Sequence, residues 1–399
     1  MTTNGSFRPV AGVVLSGGGA FGAYEVGVIL ALCEGKSPAT AGMPLDADVF
    51  TGTSVGNFNA AILAMNIGGA LASAEHLHDI WTDDIADNGD GRGNGVYRFR
   101  GDPESYLDPR APGTPVEQLK RMFGDAGALG AFALRSASKL FTRQGQLLTR
   151  LSHVVDISPF LDVSPFDDLV RSAVDPHALC SSFKKLSVTA TNWTTGMPQT
   201  FDFCATTEKQ AWDAIRASAA IPGIFPPVTI NGHLFIDGGV VMNTPIKPAI
   251  EKGATELHVV GLNPRVPDLS ATYEGDTLDV LGHVFASMVA SNIDEDVESA
   301  RWINEGIEVL ERAGLDHKLD SDDGQKFIRA AGKIARKLKA DGTFLRKLTI
   351  HRYFPTKPLG SIRGLLNFQR SVVESMIAQG HADACTHDCK ASGCLIPAE

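Results

Sequence analysis

Short apolar runs alternate along the chain with stretches of helical spacing. Residues 12–15, 48–53, 186–192, 257–262 and 349–354 are brief and rich in apolar and β-branched residues, as expected of strands buried in a sheet. Residues 24–32, 57–65 and 210–220 carry apolar positions at helical spacing, and Pro222 stops the last of these. Residues 228–230 and 234–236 flank Asn231-Gly232, a two-residue hairpin turn. Residues 199–203 pair with 186–192 across Thr195-Gly196 in the same way. Long helices are predicted over 279–313 and 324–340. This alternation predicts an α/β fold, a mostly parallel central sheet with helices on both faces.

Two stretches interrupt it. Residues 88–115 are rich in Gly, Pro, Asp and Arg and read as an irregular loop. Residues 125–156 hold Arg135, Lys139, Arg143 and Arg150 among apolar residues that include Leu147 and Leu148. That mixture predicts a lid or interfacial helix. The longest uncharged stretch, 55–74, contains three asparagines and Gly68-Gly69, so it reads as a buried helix and not a membrane span. The start shows no basic-then-apolar leader. The expectation is a soluble cytoplasmic protein with, at most, peripheral membrane contact.

Composition narrows this picture. Hydrophobic residues at 43% and charged residues at 21% exclude wholesale disorder. A net charge of −10 argues against nucleic-acid binding. Six cysteines are too few for a disulfide scaffold and suit a reducing compartment. The 41 glycines exceed the usual share, and three glycine-bearing motifs account for the informative ones.

Gly17-Gly18-Gly19-Ala20-Phe21-Gly22 follows a predicted strand and precedes a helix. Glycines there expose backbone amides beside a helix N-terminus, an arrangement that suits an anion. The spacing also satisfies G-x-G-x-x-G, so a dinucleotide loop is a rival. Gly52-Thr53-Ser54-Val55-Gly56 has the G-x-S-x-G pattern of a nucleophile elbow; an ordinary serine cap is its bland alternative. Asp237-Gly238-Gly239 ends a predicted strand and by itself reads as a turn.

Taken together, the three motifs resemble the patatin-like phospholipase family. Residues 216–227 (RASAAIPGIFPP), Asp162-Val163-Ser164-Pro165-Phe166 and the stretch from Asp237 to Pro245 add to the likeness, which covers roughly residues 12–264. The resemblance implies a three-layer α/β/α fold and a Ser–Asp dyad without a catalytic histidine. It makes Ser54 the acyl nucleophile and Asp237 the general base. The amides of Gly18 and Gly19 would form the oxyanion hole. Gly17, Gly22, Gly52, Gly56, Gly238 and Gly239 would shape the supporting turns. No cofactor or metal is implied, and the substrate would be a phospholipid or another acyl ester. Phe21 departs from the pattern, since many members carry a basic residue there. The expected organisation is a catalytic domain over 8–270 with a cap or lid insertion at about 88–156. Helices and the last strand over 271–380 would pack on the same domain, followed by a flexible Cys/His-containing tail at 381–399.

Other residues admit other readings. His258 follows Ser54 and Asp237 in the order of a histidine triad but lies near a strand's start. His381, Cys385, His387, Cys389 and Cys394 invite a zinc reading, yet lack paired C-x2-C units, and an incidental tail is favoured. Residues 292–324 hold 11 acidic and three basic residues, whereas 325–352 hold nine basic and one acidic; helices that pair with each other explain this. An NAD(P)-binding oxidoreductase would use the Gly17–Gly22 loop with an acidic ribose partner, for which Asp46 and Asp48 come late. A catalytically silent lipid-binding scaffold is a further alternative.

Overall fold

A computed structural model of the chain describes residues 8–87, 94–99, 161–205, 207–222, 224–262, 293–312, 322, 325–326, 347–360 and 362–397. In chain order its strands are β1 (Ala11–Leu15), β2 (Val49–Thr53), β3 (Arg98–Phe99), β4 (Leu161–Asp162), β5 (Lys185–Asn192), β6 (Pro198–Phe201), β7 (Val228–Ile230), β8 (His233–Asp237), β9 (Glu256–Val260) and β10 (Thr349–Tyr353). The helices are α1 (Gly22–Cys33), α2 (Val55–Met65), α3 (Ala70–Asp79), α4 (Ser164–Ala173), α5 (Pro176–Ser181), α6 (Glu208–Ser218), α7 (Ile246–Glu251), α8 (Ile293–Arg312), α9 (Arg370–Cys385) and α10 (Cys389–Ser392). Short 3-10 turns occupy Gly19–Phe21, Gly238–Val240 and Ile362–Leu366.

Eight strands form the main sheet in the order β10-β9-β1-β2-β5-β8-β7, with β6 paired to β5. The first five in that order are parallel, whereas β8, β7 and β6 are antiparallel to their neighbours. The expected hairpin turn forms between β7 and β8. Asn231 and Gly232 there have φ of 52° and 78°, the two positive values a type I′ turn needs.

Alternation along β1 divides the core in two. Val13 and Leu15 join one apolar cluster with α1, α2, α6 and α9. Val14 joins another with α7 and α8. Side chains on a strand point alternately to its two faces, so one strand seeds both helix layers of an α/β/α sandwich. α1 is buried at every position except Leu30, which is why it shows no clear polar face. It packs against α9 so closely that a Cβ on Gly27 would lie 1.9 Å from the Ile377 carbonyl oxygen.

The C-terminal tail differs from expectation. α9 runs continuously through His381 to Cys385, α10 follows, and Leu395 exchanges backbone hydrogen bonds with Ile350 of β10 at 2.8 and 2.9 Å. Apolar residues of α9 (Val373, Met376, Ile377) dock on the core, and this burial orders a segment that its composition alone left open. The predicted lid at 125–156 and the helix predicted over 324–340 lie outside the described residues, apart from Gln325 and Lys326.

Candidate active site

The site forms where β1, β2 and β8 end around β5. Thr53 on β2 stands level with Thr189, and the next residue of β5, Ala190, stands level with Asp237. Ser54 and Asp237, far apart in sequence, therefore flank one position of a shared neighbouring strand.

Ser54 sits between β2 and α2 with φ 54° and ψ −127°, a conformation that a non-glycine residue holds only when its surroundings enforce it. The flanking glycines make that turn sterically accessible. A Cβ on Gly52 would lie 2.3 Å from the Gly56 carbonyl oxygen, and one on Gly56 would lie 2.6 Å from the Leu15 carbonyl. The Ser54 amide donates to Ser218 Oγ at 3.0 Å, and Ser218 Oγ donates to the Thr189 carbonyl at 2.6 Å. Ser218, at the end of α6, thus ties the elbow to β5.

Asp237 is fully buried. Its Oδ1 accepts the Gly239 amide at 2.7 Å, while Oδ2 has no hydrogen-bond partner among the described residues. Burial pushes its carboxyl up to about 7, against the opposing pull of the Gly239 amide and the neighbouring Ser54 hydroxyl. Gly238 lies against β5, where a Cβ would come 2.3 Å from the Thr189 carbonyl oxygen.

The glycine loop leaves β1 on the same side. Gly17 is clamped by Asn243: its amide lies 3.3 Å from the Asn243 carbonyl oxygen and 3.1 Å from Oδ1, and Asn243 Nδ2 donates to the Gly17 carbonyl at 3.2 Å. Gly19 has φ 54°, and a Cβ there would strike the Leu365 carbonyl oxygen at 2.3 Å. Among the described residues, neither the Gly18 nor the Gly19 amide donates a hydrogen bond. Gly22 opens α1 against Val55. Behind the loop, buried Glu25 accepts from Asn59 Nδ2 at 2.8 Å, and Trp81 Nε1 donates to Asn59 Oδ1 at 2.8 Å. Burial drives the Glu25 carboxyl well above its ordinary range, although Asn59 and the Ser16 backbone oppose this.

Gly19 and Ser54 line a cleft of about 510 Å³, its open mouth included. The cleft walls are apolar: Phe58, Trp81, Phe166, Leu169, Ile221, Phe225, Leu365 and Phe368 among them. α4 contributes Phe166 and Leu169, and its Asp167 is ion-paired to Arg216 of α6. Phe21 is buried, and Gly364 lies against its ring. Phe21 thus gives the 362–366 turn an apolar platform.

The fold therefore gathers all ten residues that the motifs singled out. It also adds Ser218, Asn243 and Leu365. The first two lie in stretches already noted for their resemblance, but nothing in the sequence pointed to Leu365. His258 is elsewhere: its Nδ1 lies 3.2 Å from the Tyr353 hydroxyl and its Nε2 lies 3.6 Å from Glu256.

Strand ends bearing a glycine loop, a serine elbow and a buried aspartate define an α/β protein of the patatin class. A family model described as patatin-like phospholipase matches residues 13–250. The chain belongs to that family. It is 26% identical over 267 residues to the lysophospholipase NTE1 of Yarrowia lipolytica, a match covering 67% of this chain and 14% of that protein. Over 68 residues it is 41% identical to the lysophospholipase NTE1 of Cryptococcus neoformans var. neoformans serotype D, covering 17% of this chain and 4% of the relative. The chain thus spans a small part of these relatives. Among solved structures, VipD from Legionella pneumophila aligns over 93% of this chain and 67% of that chain, at 15% identity and a TM-score of 0.34.

Proposed function

We propose that this chain is a serine lipid acyl hydrolase of the phospholipase A or lysophospholipase type, acting through a Ser54–Asp237 dyad. One observation carries the reading. Ser54 stands on a strained elbow in an apolar cleft, beside a buried carboxylate with an open acceptor oxygen.

In this mechanism Asp237 takes the Ser54 proton as Oγ attacks the ester carbonyl carbon. The resulting oxyanion is held by the Gly18 and Gly19 amides. Asp237 returns the proton to the leaving alcohol oxygen, and acyl-Ser54 remains. Water then gives a proton to Asp237 and its oxygen attacks the acyl carbon. As that second tetrahedral intermediate collapses, Asp237 returns the proton to the departing Ser54 Oγ, which releases the fatty acid and regenerates both residues. Aspartate is ordinarily a weak base for a hydroxyl, but a carboxyl raised to about 7 is a much stronger one. Each backbone donor to the oxyanion contributes about 3 kcal/mol in comparable hydrolases.

The apolar cleft walls suit an acyl chain, since burying each methylene is worth about 0.8 kcal/mol. No helix among the described residues is long and apolar enough to cross a membrane.

Labelling with a fluorophosphonate probe tests the assignment. Wild type and Asp237→Asn are compared with Ser54→Ala, alongside hydrolysis of p-nitrophenyl esters and lysophospholipid. The proposal requires labelling to vanish in Ser54→Ala and hydrolysis to vanish in both variants. Labelling that persists in Ser54→Ala would place the nucleophile elsewhere.

A further inference from the structure

The C-terminal segment carries histidines and cysteines that ester hydrolysis does not use. The fold brings three of them onto β10, beside a fourth residue that the tail's own spacing does not include. We propose that His351, His387, Cys389 and Cys394 form a tetrahedral zinc site that clips the end of the chain to the edge strand of the sheet.

The distances suit a single small ion. Cys389 Sγ lies 3.5 Å from His351 Nδ1 and 3.5 Å from His387 Nε2, and Cys394 Sγ lies 3.4 Å from His387 Nε2. All four ligand atoms fall within 4.8 Å of one another. A tetrahedron with Zn–S of about 2.3 Å and Zn–N of about 2.0–2.1 Å has sulfur-to-nitrogen edges of about 3.6 Å. Two thiolates and two neutral imidazoles also balance the charge of Zn²⁺, which suits a site with both histidines buried.

The backbone prepares this arrangement. Asp388 caps α10 by accepting the Lys390 and Ala391 amides. Gly393 then turns the chain with φ 63°, and the Cys394 amide donates to the Cys389 carbonyl at 2.9 Å. Both sulfurs thereby face one point. The Arg352 amide lies 3.2 Å from Cys394 Sγ, so the backbone of β10 itself faces one of the two sulfurs. Glu256 Oε1 lies 3.9 Å from His351 Nε2. A carboxylate on that side favours the tautomer with hydrogen on Nε2 and leaves Nδ1 free to ligate.

Four protein ligands leave no open position, so the role is structural. The clip closes the segment that contains both α9 and the 362–366 turn, and that turn borders the cleft through Leu365. Its existence does not depend on the hydrolase reading.

The test uses the full chain, purified under reducing conditions, and its Ser54→Ala variant. Elemental mass spectrometry should find one zinc per chain in both. Replacing zinc with cobalt(II) should give the strong visible bands of a tetrahedral site and a near-ultraviolet thiolate charge-transfer band. Cys389→Ser and His351→Gln should each weaken or shift these bands, while Cys204→Ser should not. Removing zinc should lower the unfolding temperature, and adding it back should restore it. Wild-type protein that takes up neither zinc nor cobalt under reducing conditions would overturn the proposal. So would a cobalt spectrum without thiolate charge transfer, or a Cys389–Cys394 disulfide found after thiol trapping.

Discussion

The backbone amide of Ser54 donates to the side chain of Ser218, which in turn donates to the Thr189 carbonyl on the central strand β5. One hydroxyl thereby pairs two backbone groups that would otherwise be buried without partners. Ser218→Ala should lower stability by about 1–3 kcal/mol, the usual cost of unsatisfied buried polar groups. It should also reduce kcat more than it raises KM, because the elbow loses its tether while the acyl cleft keeps its walls. Ester kinetics and thermal unfolding measure both effects. Unchanged values in each would remove Ser218 from the positioning of Ser54.

As the proposed general base, Asp237 would tie activity to pH. A general base must be ionised, so kcat/KM should rise with pH through about 7 and level off above it. Stability should move the other way. The folded carboxyl titrates above its unfolded value of about 3.9, so the folded protein holds the extra proton between the two values, and stability falls as pH rises across that window. Asp237→Asn removes the buried charge. It should abolish hydrolysis yet raise stability at pH 8 by about 1–2 kcal/mol, the usual scale of a stability–function trade-off. Near pH 4 the gain should disappear. Unfolding curves at both values test this.

Gly19 combines positive φ with close contact to the Leu365 carbonyl. Gly19→Ala should displace the loop or the 362–366 turn and lower kcat about 100-fold, the scale of losing an oxyanion donor. Fluorophosphonate labelling should slow in parallel. Full activity in Gly19→Ala would show that the loop and the 362–366 turn absorb a Cβ without moving the amide.

Glu25 lies buried behind the loop, and that burial drives its carboxyl well above the ordinary carboxylate range. Glutamine preserves its shape and a hydrogen bond with Asn59. Glu25→Gln should therefore fold normally and remove a fall in stability that begins as pH rises above the unfolded carboxyl value of about 4.3. Comparing unfolding temperatures of the two proteins from pH 4 to 8 checks the sign.

Phe225 and Phe166 meet at the cleft wall with ring centroids 6.5 Å apart. Phe225→Ala should weaken kcat/KM for long-chain p-nitrophenyl esters about tenfold, because apolar burial scales with the chain carbons covered. Acetate ester hydrolysis should change little. An equal loss on both substrates would mean that the residue shapes the reacting centre and not the acyl-binding wall.

Much of this molecule is local chemistry and could be read along the chain. Apolar runs mark the parallel strands because a strand buried on both faces has no polar side to show. Gly52 and Gly56 announce the elbow because a close backbone turn has few side-chain solutions. Asn231-Gly232 marks its hairpin because the turn requires two positive φ values. The order of the glycine loop, Ser54 and Asp237 was likewise legible before any contact was known.

What tertiary structure decided depends on residues that are distant in sequence. The register of β2, β5 and β8 sets Ser54 near Asp237, and a one-residue slip would move the aspartate to the opposite face of the sheet. Ser218 and Asn243 became positioning groups because α6 and the turn after β8 pack against strand ends. The tail became ordered because α9 buries apolar residues against α1, and His351 reached Cys389 and Cys394 because Leu395 pairs with Ile350 of β10. Sequence alone determined which residues could carry chemistry, since backbone geometry and side-chain type are local properties. Which of them meet was left to burial and strand pairing, since those energies are realised only when separate parts of the chain come into contact.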